Sequence, residues 1–306
     1  MDLALALDLG GTKVEAALVD GNGAVVPSTR FRAATGRGAT PASLESAVAE
    51  VVQAALAAVP ASAVLLGAGI GSAGPVDLPG GRVSPLNLPG VPRFPIVDLV
   101  SRLVPGIPVA LALDGLCIAL AEHWIGAGRG VRSLLGMVVS TGIGGGLVLD
   151  GRPVHGSTGN AGHIGQIEVA GFSPEGASGD AAMLETIASG PNTVAFARSL
   201  GWPGETGEEL AAAYAEGIPA AVEAVRRSAG AVGRAVASVT ALCDVDLVVV
   251  GGGFSRVAPD YLDLVRESRD RGTTPAFVRR ARITPSGLGL DGPLVGAAAL
   301  VHRSAA

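Results

Sequence analysis

Leu3-Ala4-Leu5-Ala6-Leu7-Asp8-Leu9-Gly10-Gly11-Thr12-Lys13 is an apolar run that ends in an aspartate and a glycine turn. An uninterrupted apolar run of this length reads as a buried strand. It carries one carboxylate, Asp8, to its end. The glycines that follow permit close backbone approach and positive φ, so their N–H groups can cradle phosphate. Related pieces recur downstream. Leu134 to Asp150 carries Ser140-Thr141-Gly142-Ile143-Gly144-Gly145-Gly146, and Asp246 to Phe254 carries Gly251-Gly252-Gly253. Leu18-Val19-Asp20-Gly21 closes the first unit and Val148-Leu149-Asp150-Gly151 the second, an offset of 150 − 20 = 130 residues. This weak repeat predicts two related α/β halves that each present a hairpin to phosphate.

Between these turns the chain alternates strand and helix. Residues 41–58 place Leu44, Val48, Val51, Val52, Ala55 and Leu56 on one helical face, with Pro41 near the start. Val64 to Ile70 reads as a buried strand that enters the turn-rich loop Gly71-Ser72-Ala73-Gly74-Pro75-Val76-Asp77. A strand over Val109 to Leu113 precedes a helix over Ile118 to Trp124. Residues 205–243 are alanine-rich and helical in pattern. Gly292 begins a short apolar helix through Val301.

Composition narrows the function classes. A chain of 306 residues with 48% hydrophobic and 16% charged residues can bury a large core. The net charge of −5, without a Lys/Arg run longer than a pair, argues against nucleic acid as a partner. No apolar stretch reaches the ~18 residues of a membrane span. Asp2 and Asp8 break the N-terminal apolar run, so it does not read as a signal peptide. Cys117 and Cys243 form no C-x-x-C pair and suggest a reducing compartment. The expected location is therefore cytoplasmic. Lys13 is the only lysine, which fits a bias toward arginine but also singles out the residue beside the glycine turn.

None of the three glycine turns at Gly10, Gly142 and Gly251 has the G-x-x-x-x-G-K-[ST] or G-x-G-x-x-G form, which argues against a P-loop or dinucleotide enzyme. Their order and spacing resemble the ROK family of sugar kinases over nearly the whole chain. Asp8 to Lys13 resembles the first phosphate motif of that family, Thr141 to Gly146 the second, and Val250 to Gly253 the adenosine-side motif. Gly74-Pro75-Val76-Asp77 and Asn87-Leu88-Pro89-Gly90 resemble its sugar-domain loop. The resemblance implies a two-lobed actin-like ATPase (ribonuclease H-like) α/β fold with duplicated domains. One lobe would hold residues 1–111 and the C-terminal helix at about 292–306, and the other residues 112–291. It also implies ATP and Mg²⁺, a small sugar-like acceptor and a homodimer.

Carried over residue by residue, the resemblance assigns Asp114 as the base that takes the acceptor proton, and Asp8 as the holder of hydrated Mg²⁺. Gly10, Gly11, Thr12, Lys13, Thr141, Gly142, Gly144, Gly251, Gly252 and Gly253 would surround the nucleotide. Gly74, Asn87, Leu113, Asp114, His163, Gln166 and Glu185 would meet the acceptor. Read without the motif order, Asp114 is a helix-cap aspartate and Glu185 an exposed acid in a first helical turn.

The chain departs from the family at the acceptor. The family's Glu-Asn-Asp triplet is Ala112-Leu113-Asp114 here, and its Ala-Gly-Glu-x-Gly-His is Ala161-Gly162-His163-Ile164-Gly165-Gln166. The zinc histidine is thus Gln166, and the cysteine positions are Gly176, Ser178 and Met183, so no structural zinc is expected. Leu113 cannot hydrogen-bond a hydroxyl, and His163 can donate as well as accept. A modified sugar, amino sugar or cyclitol is therefore favoured over plain glucose. The alternatives are an ordinary glucokinase with a drifted motif, and a non-catalytic sugar-binding pseudokinase or sensor. His123 reads as a surface or core-edge residue, His155 as solvent-facing and Trp202 as structural.

Overall fold

The computed structural model describes residues 1–172, 182–289 and 291–303. Alternating apolar runs pair into two five-stranded sheets. The first is built from β1 (Asp2–Leu9), β2 (Lys13–Asp20), β3 (Phe31–Ala34), β4 (Val64–Ser72) and β7 (Val109–Leu113) in the order β3-β2-β1-β4-β7. The second is built from β8 (Leu134–Val139), β9 (Ile143–Leu149), β10 (Arg152–Pro153), β11 (Leu247–Gly251) and β12 (Arg282–Pro285) in the order β10-β9-β8-β11-β12. The short strands β5 (Val76–Asp77) and β6 (Arg82–Val83) form a separate hairpin. Each large sheet has an antiparallel hairpin followed by two parallel strands: β1 with β2, then β4 and β7; β8 with β9, then β11 and β12. The repeat expected from the two glycine hairpins is thus a repeat of sheet topology. β1 and β11 lie among helices and other strands, which explains their unbroken apolar character.

The helices are α1 (Pro41–Ala57), α2 (Ile96–Leu103), α3 (Asp114–Trp124), α4 (Leu184–Ala188), α5 (Gly190–Ser199), α6 (Gly207–Ala215), α7 (Pro219–Cys243), α8 (Tyr261–Arg271), α9 (Ala276–Arg280) and α10 (Gly292–His302). Thr40 caps α1 and Thr206 caps α6, each in a reciprocal capping box. Two expectations need correction. The alanine-rich stretch is two helices, because Gly217 takes φ +75° and breaks the run between α6 and α7. And α3 begins at Asp114, four residues before the expected start at Ile118. Gly115 hides that start in the sequence, since glycine is a poor helix former.

Glycine is used at α3 because nothing larger fits. A Cβ on Gly115 would stand 2.2 Å from the Gly145 carbonyl oxygen, and one on Gly146 2.3 Å from the Leu116 Cα. α3 therefore lies directly on the β8–β9 hairpin. α10 crosses α3 just as closely, with Gly296 against the Cys117 carbonyl, and covers β4 at Gly69. The apolar cores follow the sheets: one gathers around β1, β2, α1 and α10, the other around β8, β11 and α7. Trp202 is buried in the second core, in keeping with a structural role. No helix among the described residues is long and apolar enough to cross a membrane.

Candidate active site

The first glycine turn is closed by the Gly10 N–H donating to the Lys13 carbonyl at 3.0 Å. Asp8 pairs with Glu15 across the β1–β2 ladder, so both carboxylates lie on one face. Glu15 is only 2% exposed and is surrounded by cations. Lys13 Nζ lies at 2.7 Å, Arg32 Nη2 at 2.6 Å and Arg30 Nε at 4.0 Å. Burial pushes the Glu15 carboxyl up, but the hydrogen bonds from Lys13 and Arg32 outweigh it and hold it low. Asp8 has no such bond. Burial raises its pKa to about 6; Lys13 pulls it down, Glu15 pushes it up, and Arg30 pulls it down. The lone lysine is thus committed to a buried carboxylate beside the turn.

The second turn is fastened from below. The Ile143 N–H donates to Glu185 Oε2 at 2.7 Å, and the Ser140 N–H to the Gly142 carbonyl at 2.9 Å. Gly142 lies so close to Glu185 that a Cβ would stand 2.6 Å from the same oxygen. Thr141 is exposed and lines a cavity of about 390 Å³ with Ser140, Gly190, Pro191, Glu205, Gly253 and Phe254. Gly252 takes φ +94°, and a Cβ there would stand 2.4 Å from the Val139 carbonyl oxygen. Gly251 packs at Ser286.

Asp114 lies between the two turns. Its Oδ1 accepts the Gly115 N–H at 2.7 Å and is the atom that a Cβ on Gly144 would approach, at 3.9 Å. Burial raises its pKa to about 7; Asp8 pushes it up further, the Gly115 N–H opposes, and Glu185 adds a final push. Asp114 is therefore within electrostatic reach of both Asp8 and Glu185. Among the described residues no three His, Cys, Asp or Glu side chains form a metal cage. The donor set suits Mg²⁺ all the same: that ion keeps several waters and takes one or two carboxylates plus substrate phosphates.

The acceptor wall gathers Leu113, Gly74 and His163. Leu113 is 1% exposed, and its Cδ1 would be 2.6 Å from a Cβ on Gly74. His163 Nε2 would be 3.3 Å from the same point. Burial lowers the His163 pKa, and the Glu185 charge only partly restores it, so the ring is neutral at pH 7. Its Nδ1 is buried without a hydrogen-bond partner among the described residues. Asn87 and Gln166 are placed by other contacts. The Asn87 side chain is exposed and lies over Gly11, where a Cβ would be 2.3 Å from its Nδ2. Gln166 is exposed and donates its backbone N–H to the His163 carbonyl.

At the expected zinc positions, neither Gln166 nor Met183 offers thiolate or imidazole, and Gly176 and Ser178 lie outside the described residues. The flanks of that segment meet at Arg227, which donates to the Phe172 and Ile187 carbonyls and lies 4.2 Å over the Phe196 ring. His155 departs from expectation: it is half-buried, with Nδ1 sealed from solvent, because the loop after β10 folds back onto the protein. His123 is at the core edge, with Nε2 at 3.1 Å from the Val131 carbonyl. Glu15, Arg227 and Asn160, discussed below, escaped the sequence reading. Only Glu15 left a signal there, as an acid in an otherwise apolar strand.

The chain belongs to the ROK family, which it matches over residues 4–304. It is 33% identical to the N-acetylmannosamine kinase of Salmonella typhi over 262 residues, covering 86% of each chain. It resembles the ROK hexokinase of Thermus thermophilus with a TM-score of 0.83 and 32% identity, over 99% of each chain. It also resembles a ROK family glucokinase of Streptomyces griseus, solved with glucose and AMPPNP, with a TM-score of 0.81 and 28% identity over 98% of this chain and 99% of that one. The two solved relatives share the actin-like two-sheet architecture described above.

Proposed function

We propose that the protein is an ATP-dependent kinase that transfers the γ-phosphoryl group to a hydroxyl of a sugar or sugar-like polyol. The observation that carries this reading is the place of Asp114, beside Gly144 of one phosphate hairpin and within electrostatic reach of Asp8 at the other. Asp114 takes the hydroxyl proton while the acceptor oxygen bonds to the γ-phosphorus and the bridging P–O bond to ADP breaks. Backbone N–H groups of Gly10 to Thr12 and Thr141 to Gly144 would orient the phosphates, and the cavity at Thr141, Gly253 and Phe254 would take the adenosine. Mg²⁺, held through water by Asp8, would neutralise charge on the phosphates.

The acceptor side favours an amino sugar, another modified sugar or a cyclitol. Leu113 offers an apolar wall where the family has asparagine, and the neutral His163 can donate or accept. The names of the Salmonella relatives support an N-acylated amino sugar. The S. griseus relative keeps plain glucose as the second reading. We also propose that no structural zinc is present, that residues 1–111 with the C-terminal helix form one lobe and 112–291 the other, and that the protein works as a cytoplasmic homodimer. The last three residues of the expected C-terminal span, 304–306, lie outside the described residues.

ADP release should be followed with N-acetylmannosamine, glucose, 2-deoxyglucose and myo-inositol, for wild type and Asp114→Asn. Turnover that collapses in the variant supports the kinase reading. Sugar binding without ADP release would favour a sensor. A KM for glucose well below those of the modified sugars would overturn the acceptor preference.

A further inference from the structure

The acceptor wall is made from chain segments far apart in sequence. Gly74 belongs to the turn after β4 and Val76 to β5, whereas His163 follows β10. What joins them is a short stretch of false strand pairing. The Leu78 N–H donates to the Thr158 carbonyl at 3.1 Å. Next to it, the Asn160 side chain replaces a strand: Oδ1 accepts the Val76 N–H at 2.8 Å, and Nδ2 donates to the Val76 carbonyl at 2.7 Å. Asn160 Nδ2 also donates to Thr158 Oγ1 at 3.0 Å, which fixes the amide plane. Between these contacts Gly159 takes φ +100°, and a Cβ there would stand 2.4 Å from Leu78 Cγ and 2.8 Å from Val76 Cγ2. The segment is thus pressed flat onto Val76 and Leu78.

We propose that Asn160 is a positioning residue for the acceptor: it clasps residues 158–163 to residues 74–78 and so sets the distance between His163 and Gly74. An asparagine amide is suited to this task, because it offers one donor and one acceptor in the spacing of a backbone peptide. Aspartate keeps the acceptor and loses the donor; alanine loses both. Asn160 makes none of these contacts with the donor turns, so acceptor binding depends on it and nucleotide binding does not. The inference rests on the acceptor wall assigned above.

The test compares wild type, Asn160→Ala and Asn160→Asp, each with folding checked by circular dichroism. Steady-state kinetics use N-acetylmannosamine and glucose as acceptors. Amide hydrogen exchange is read at Leu78, whose hydrogen-bond partner is not altered by either substitution. The expected result for Asn160→Ala is an acceptor KM at least tenfold higher, an ATP KM within twofold of wild type, and Leu78 exchange at least tenfold faster. Asn160→Asp should fall between the two. An acceptor KM within twofold of wild type, an ATP KM that rises in step, or unchanged Leu78 exchange would each overturn the clasp. If wild type turns over none of N-acetylmannosamine, glucose, 2-deoxyglucose and myo-inositol, the kinase reading fails on its own, and Leu78 exchange still decides whether Asn160 holds the two segments together.

Discussion

Glu185 Oε2 accepts the backbone N–H of Ile143 at 2.7 Å, so a residue expected to face the acceptor fastens the donor hairpin. The bond enters the turn that carries Thr141, Gly142 and Gly144. A carboxylate that loses this role frees a partly buried N–H and lets the turn relax. Glu185→Ala should therefore raise the KM for ATP as well as that for the sugar, each by roughly tenfold, for the loss of about 1.5 kcal/mol. Glu185→Gln keeps an oxygen for Ile143 and should leave the ATP KM near wild type. Steady-state kinetics in both substrates separate the cases; an ATP KM unchanged in Glu185→Ala would show that the hairpin holds itself.

Asp114 should govern two pH profiles. Its pKa is raised from 3.8 to about 7, chiefly by burial, so the base is unprotonated only above neutrality. kcat/KM for the sugar should climb with pH and level off above about 7, and Asp114→Asn should lower kcat by roughly 10²–10⁴-fold. Stability should move the other way. The native state holds the Asp114 proton over a range where the unfolded chain has lost it, so stability present below pH 4 is lost as pH rises through 7. Asp8, raised to about 6, adds a loss of the same sign. Urea midpoints at pH 5 and 7.5 should show a shallower decline for Asp114→Asn, and equal declines would contradict this assignment.

Leu113→Asn should restore a polar group at the acceptor wall. With Gly74 directly against Leu113, the new amide has room only toward the acceptor or His163. We expect the ratio of kcat/KM for glucose over N-acetylmannosamine to rise by about tenfold. Parallel changes for the two sugars would remove Leu113 from acceptor choice.

Arg227 joins Phe172 to Ile187 through their carbonyls. Arg227→Met keeps much of the aliphatic bulk and loses every one of those hydrogen bonds and the cation–ring contact. The expected cost is about 2 kcal/mol, read as a lower urea midpoint. Metal analysis of the purified protein should find zinc far below one per chain. Stoichiometric zinc would overturn the proposed absence.

The strand ends and glycine turns proposed to hold the donor were legible because such features act locally. Asp8 lies at the end of β1 and the Gly10 N–H closes its turn on the Lys13 carbonyl, all within a few residues. The acceptor half was less legible because it depends on contacts between distant segments. Asn160 is an ordinary turn residue in sequence, and only the approach of Val76 gives its amide a task. The side chain of Asn87 lies over Gly11, a contact that spacing along the chain does not encode. The start of α3 was hidden for a related reason: Gly115 weakens the local helix signal in order to meet Gly145.

The close crossing of α10 with α3 and β4 orders events in time as well as space. The face of β4 at Gly67 and Gly69 is bare backbone until Val301 and Ala297 arrive to cover it. Those residues leave the ribosome long after β1 to β7 have emerged. The first sheet is therefore made early and sealed late. During synthesis its β4 flank stays open until α10 arrives to cover it.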